Sequence, residues 1–204
     1  MQFSVDYPEE PRNRLTVAFR IFLIIPILIV LSLIEQTAFE WSDAMDTTRT
    51  FTSSAGGLLV LPPLVMILFR RKYPRWWFNW NLELMRFISR VVAYGLLLRD
   101  EYPSTDEEQA VHLEIAYPDA ARELNRWLPL VKWLLAIPHY IVLIVLSIAA
   151  FFVAILAWFA ILITGRYPRG LFDFIVDVER WHNRVTAYAV TLMTDQYPPF
   201  RFGP

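Results

Sequence analysis

Hydrophobic positions in this chain gather into three long runs, separated by polar and aromatic stretches. The first, LTVAFRIFLIIPILIVLSLI from Leu15 to Ile34, is about 20 residues long. At ~1.5 Å per residue it covers the roughly 30 Å of a bilayer's hydrocarbon core, so it predicts a transmembrane helix. Its Arg20 is expected to snorkel to the interface. The second run, AGGLLVLPPLVMILF from Ala55 to Phe69, is shorter and carries Pro62 and Pro63, which a span tolerates when neighbouring groups satisfy the carbonyls they free. The third, Trp133 to Thr164, contains no formally charged residue and would be about 48 Å long as one helix, too long for an ordinary span. It is expected to fold back as two short helices joined by a tight turn near Ser147 to Phe152, with a re-entrant hairpin that does not fully cross as the alternative.

Charge sets the expected orientation. Of nineteen basic residues, only Arg49 lies between the first two runs, in company with Glu35, Glu40, Asp43 and Asp46. Arg12, Arg14, Arg20, Arg70, Arg71, Lys72 and Arg75 flank that hairpin on its other side. Arg122, Arg126 and Lys132 precede the third run, and Arg166 and Arg169 follow it. The positive-inside rule then puts the ends of both hairpins in the cytoplasm, which requires an even number of crossings. The N-terminal MQFSVDYPEEPRNR is acidic and polar and does not read as a cleaved signal peptide.

The stretches that leave the two apolar hairpins resemble each other: RKYPRWWFNW from Arg71 and GRYPRGLFDF from Gly165. With Tyr73 placed on Tyr167, Phe78 matches Phe172, Asn79 matches Asp173, Glu83 matches Asp177, Arg86 matches Arg180 and Arg90 matches Arg184. RVVAY then continues against RVTAY and, one inserted residue later, DEYP meets DQYP. FSVDYP at Phe3 resembles LEIAYP at Leu113, and IIP at Ile24 resembles AIP at Ala136. Two tandem membrane repeats, residues 1–104 and 105–204, account for these correspondences, inserted in the same orientation about an axis along the membrane normal. The fold expected is a mainly α membrane protein with four transmembrane helices. Each repeat is a helical hairpin followed by an interfacial amphipathic helix and short strands.

In each Tyr-Pro-Arg motif proline ends one element and starts the next helix, while tyrosine and arginine anchor at the interface. Asp173, Asp177, Arg180 and Arg184 recur at helical spacing among Phe172, Phe174, Ile175, Val178 and Trp181. Asn79, Glu83, Arg86 and Arg90 repeat that stripe in the first copy. It reads either as a solvated face of helical ion pairs or as a site for an anionic lipid headgroup. In the second reading Arg166, Arg169, Arg180 and Arg184, with Arg75, Arg86 and Arg90, offer forked donors to phosphate. After each helix the pattern shifts toward a two-residue period, and QFSVDYP and VHLEIAYP read similarly, which predicts four short strands.

Composition adds exclusions. The chain is 56% hydrophobic and 16% aromatic, with 19 basic and 20 acidic side chains, so net charge gives no reason to expect a nucleic-acid partner. With no cysteine, thiolate metal sites, disulfides and cysteine nucleophiles are impossible. His112, His139 and His182 lack metal-helix spacing, and no Gly-rich phosphate loop, GxSxG or zinc helix occurs. No cofactor, metal or catalytic residue is expected. His139 is the one titratable group expected at mid-membrane depth. It is either a functional group or a neutral histidine donating to the carbonyl that Pro138 frees, and Ile27 stands in its place in the first copy.

The segment TGRYPRGLFDFIVDVERWHNRVTAYAVTLMTDQYPPF, Thr164 to Phe200, resembles a bacterial membrane family known as domain of unknown function forty-three eighty-nine. Its members look like a membrane hairpin followed by a TG-RYPR-LFDF helix and a D-YPPF ending, and this chain resembles a doubled form. The first copy departs from the pattern, with KYPRWWFNW and EYPSTD. The resemblance implies a bacterial inner membrane location and supplies no reaction. Together these features lead us to expect a non-catalytic multi-pass protein with both termini cytoplasmic. It would be an accessory or scaffolding subunit of a membrane complex or homo-oligomer, in contact with membrane lipids, with anionic-lipid binding or small-molecule or lipid transport as the alternative.

Overall fold

The computed structural model describes the backbone of residues 1–41 and 49–203 and the side chains of residues 1–31 and 61–203. Asp43 and Asp46, counted above in the acidic connection, lie outside the described residues.

The first apolar run is not one helix. It breaks at Phe19 and Ile24 into α1 (Arg14–Ala18), α2 (Arg20–Leu23) and α3 (Ile25–Glu35). Pro26, in the first turn of α3, lacks an N–H and cannot continue the preceding turn. Strands β2 (Gln36–Trp41) and β3 (Arg49–Ser54), which the hydrophobic pattern does not announce, pair antiparallel. They lead into α4 (Ala55–Arg70), which holds both Pro62 and Pro63. After the first Tyr-Pro-Arg comes α5 (Arg75–Gly95).

The helical part of the second half opens with a 3₁₀ turn, Leu128–Leu130, then α6 (Lys132–Leu135) and α7 (Ile137–Thr164), with Pro138 again marking the break. The turn expected near Ser147 to Phe152 does not occur, because α7 is continuous through it. No glycine or proline interrupts the chain between Tyr140 and Thr164, and the Ser147 hydroxyl donates to Leu143 O at 2.7 Å inside the helix. His139, Leu143, Ala150, Ala157 and Ile161 form a buried stripe down one side. The second hairpin is therefore a single helix, so the expectation of a hairpin in each copy does not hold. Among the described residues α7 is the one helix long and apolar enough to cross a membrane. It ends at Gly165, whose φ of 74° suits a residue without Cβ.

The connection Gly165–Pro168 turns the chain into α8 (Arg169–Val185), which packs back along α7 so that Trp181 meets His139 near the α7 start. Two of the four expected strands form. β1 (Gln2–Val5) and β4 (Val111–Glu114) pair antiparallel from Gln2↔Glu114 to Val5↔Val111 and tie the two halves together. Phe3, Val5, Val111 and Leu113 point into the core. The other two segments begin helical and continue as turn and coil: residues 92–95 complete α5 and residues 186–190 follow α8, with Tyr94 and Tyr188 buried there. Beyond α8 the chain makes a π-turn, Thr186–Val190, closed by Thr191 N–H donating to Thr186 O at 2.9 Å.

Candidate functional site

Positions matched by the sequence alignment make matching bonds, and most of them cross between the halves. Arg86 Nε donates to Leu113 O at 2.9 Å, and Arg180 Nε donates to Phe3 O at 3.1 Å. The Tyr117 hydroxyl donates to Tyr73 O and the Tyr7 hydroxyl to Tyr167 O, both at 2.5 Å. Each tyrosine ring meets the motif phenylalanine edge-on, Tyr117 with Phe78 and Tyr7 with Phe172. Ser89 and Asn183, themselves a matched pair, bond to each other where α5 meets α8, with Asn183 Nδ2 donating to Ser89 Oγ at 3.2 Å.

Each half also buries one cation against one aspartate. Arg20 lies six residues before Pro26 and Lys132 six before Pro138. Arg20 does not snorkel. It is buried, ion-paired with Asp100 and stacked 3.9 Å from the centre of the Tyr94 ring. Lys132 is fully buried, 2.7 Å from Asp195 and 4.9 Å from the Tyr188 ring. Burial pulls the Lys132 pKa down, against the attraction of Asp195. Arg12 adds a second guanidinium to Asp100 at 2.9 Å and donates to Leu97 O and Leu98 O, both at 2.7 Å. These ion pairs escaped sequence reading because their partners lie some 60 to 90 residues apart in the chain; the one available signal was the matching offset of each cation from its proline.

The arginines singled out for headgroup binding do not converge. Arg180 and Arg86 are held by the opposite strands and by Asp177 and Glu83. Arg90 is buried with NH1 on Ser104 O, and Arg184 donates to Arg201 O. Arg169 and Arg75 lie over the rings of Tyr7 and Tyr117. Arg166, Asp173 and Asn79 are exposed. Of the stripe, Arg86 and Arg180 join helix to strand across the seam.

His139 is fully buried. Its Nδ1 accepts from the Trp181 indole N–H at 3.1 Å, so the neutral ring carries its proton on Nε2. Instead of donating to a freed carbonyl it stacks on Phe200, 3.9 Å between centres and 14° from parallel, with Tyr197 alongside. The first copy has Ile27 and Phe87 packed together at the corresponding places. Glu179 is a further group that sequence reading passed over. It stands where the first copy has the buried Met85, and burial pushes its carboxyl up to about 7.

Among the described residues no group of three His, Cys, Asp or Glu side chains is placed to hold a metal ion. No curated protein and no solved structure matches the chain. Residues 127–201, from the 3₁₀ turn through α8 to the Phe200 that stacks on His139, match the model of the family described as Domain of unknown function (DUF4389).

Proposed function

We propose that this protein is a non-catalytic, membrane-embedded protein that works by association, as an accessory or scaffolding subunit of a membrane complex or homo-oligomer. Two tandem copies, residues 1–104 and 105–204, build it about a pseudo-twofold axis near Ser89 and Asn183. The observation that carries the membrane reading is the outer side of α7. Opposite its buried stripe, Ile141, Ile144, Val145, Ile148, Phe152, Leu156 and Ile163 form an apolar arc of roughly 120° at the helical repeat. Ile163 at one end is 75% exposed and Ile141 at the other 61%. A continuous apolar face of that length marks contact with lipid or with another membrane subunit. The bonded, packed seam between the copies supports association over passage of a solute between them.

The geometry favours α7 bedded lengthwise in the cytoplasmic leaflet of a bacterial inner membrane over α7 standing upright. Because α8 runs back along α7, an upright α7 would carry Asp173, Asp177 and Arg180 into the hydrocarbon, where each charge costs at least about 2.5 kcal/mol. The chain lacks cysteine, so single cysteines report cleanly. In sealed membrane vesicles, Leu134→Cys and Thr164→Cys are expected to react with an impermeant maleimide from the same side. Labelling from opposite sides would establish a crossing helix and overturn the bedded placement. Native mass spectrometry of gently extracted protein tests association: a defined oligomer or co-purifying subunit is expected, and a bare monomer would count against it.

A further inference from the structure

A cavity of ≈ 500 Å³ lies between the Tyr140-to-Ile148 side of α7 and the stretch from His182 to Val190. Its lining is almost wholly hydrocarbon. Two of its polar side chains are engaged within their own helices: Ser147 Oγ donates to Leu143 O, and His182 Nδ1 lies 3.3 Å from Val178 O. The cavity opens sideways onto the apolar arc, since Tyr140, Ile144 and Ile148 form its rim and are exposed there. Its length along α7, from Tyr140 to Ile148, is roughly 12 Å at the helical rise.

Among the described residues, the corresponding place in the first half is packed. There Ile27, Phe87 and Val91 close together with Ile24 and Leu31, and the Ile24 Cδ1 methyl lies only 2.8 Å from where a Cβ on Gly95 would stand. The second half has one residue more at this point. Leu98 N–H reaches back to Ala93 O in the first half, whereas Met193 N–H reaches one residue further, to Ala187 O. The π-turn Thr186–Val190 absorbs that extra residue and forms one wall of the cavity. Such single-turn widenings of a helix recur at functional sites.

We propose that this groove holds one acyl chain of a membrane phospholipid, entering sideways from the bilayer against α7. The proposal rests on the membrane reading above. Its volume lies within the range of small-molecule sites. Its lining is predominantly hydrocarbon and its mouth opens on the face assigned to lipid, so a hydrocarbon chain already in the membrane fits it best.

The test uses the full chain reconstituted in phosphatidylethanolamine and phosphatidylglycerol vesicles containing a phospholipid with a diazirine near the end of one acyl chain. After irradiation, adducts are expected to concentrate on peptides covering 140–148 and 182–190 over the 155–163 part of the same exposed face. Native mass spectrometry is expected to find one phospholipid retained per chain. Ser147→Trp, which fills the groove, should lower adduct yield and retention about tenfold, whereas Val145→Trp on the outer arc should leave both unchanged. Adducts spread evenly along α7, or adducts formed only by a free diazirine fatty acid in detergent, would overturn the groove assignment. Failure of the protein to float with vesicles would overturn the membrane reading itself. The unsubstituted chain's adduct map stands if Ser147→Trp does not fold.

Discussion

The two halves of this protein use the same bonds around different apolar runs. Pro26 and Pro138 mark the same early break in both runs, but in the first half the β2–β3 hairpin interrupts the run again, and α5 ends in a tight α-type turn at Gly95. In the second half the corresponding run is the unbroken α7, and the helix beside it loosens into a π-turn. Arg12 buttresses the left-handed Leu97 at the end of α5. The matching Leu192 has no such arginine, since Leu124 precedes Asn125 where Arg12 precedes Asn13. Bonds across the seam are shared because each half must hold the other's strand, whereas the exposed apolar faces carry no such bonds and are free to diverge.

Removing the buried carboxylates should break this comparison most severely. Asp100→Ala and Asp195→Ala should each cost about 3–5 kcal/mol, because each strands a buried cation. Asp100→Ala should be the worse, since it strands Arg12 and Arg20, neither of which readily sheds a proton, while Lys132 is already pulled down by burial and can become neutral. Denaturant unfolding in micelles checks this, and the gap between the two variants should widen as pH is raised and Lys132 deprotonates. Equal costs at every pH would mean that the two pairs are not distinguished in this way.

Glu179 offers the next largest effect. Its folded pKa is raised, so its contribution is fully present below the ordinary glutamate range and is lost as pH rises through about 7. Glu179→Met should stabilise the protein by about 2 kcal/mol near about pH 8, discounted for the carboxyl's partial exposure, and flatten the slope between about pH 5 and 8. Met85→Glu should import that slope into the first half. A melting-temperature series against pH with no difference between Glu179→Met and the native chain would remove Glu179 from the account.

Arg86→Met and Arg180→Met should each cost about 1–3 kcal/mol, and equally, if the two helix-to-strand bonds are equivalent. Costs differing by more than about 1 kcal/mol would break that equivalence. The finest test is Tyr7→Phe against Tyr117→Phe, each expected to lose about 1 kcal/mol in thermal unfolding with no shift in the cysteine-labelling pattern.

Much of the site was legible in the pairing of YPR with YPR, because a repeated local motif keeps its local conformation. Prolines 26 and 138 marked helix starts for the same reason, and alternation in FSV and HLE announced β1 and β4. Pattern misled where a choice depends on what lies alongside. The VAY and TAY segments alternate like strands but stay helical, since Tyr94 and Tyr188 each have a buried cation to cover.

The sequence by itself determined that the chain is apolar, helical, rich in boundary motifs and without cysteine chemistry, since composition and spacing act within a few residues of one another. Only the tertiary structure decided that α7 stays whole, that Arg20 and Lys132 turn inward, that the arginine stripe serves the opposite strand, and that one inserted residue opens a groove. Each of those outcomes depends on a partner dozens of residues away, whose arrival in space no local pattern records.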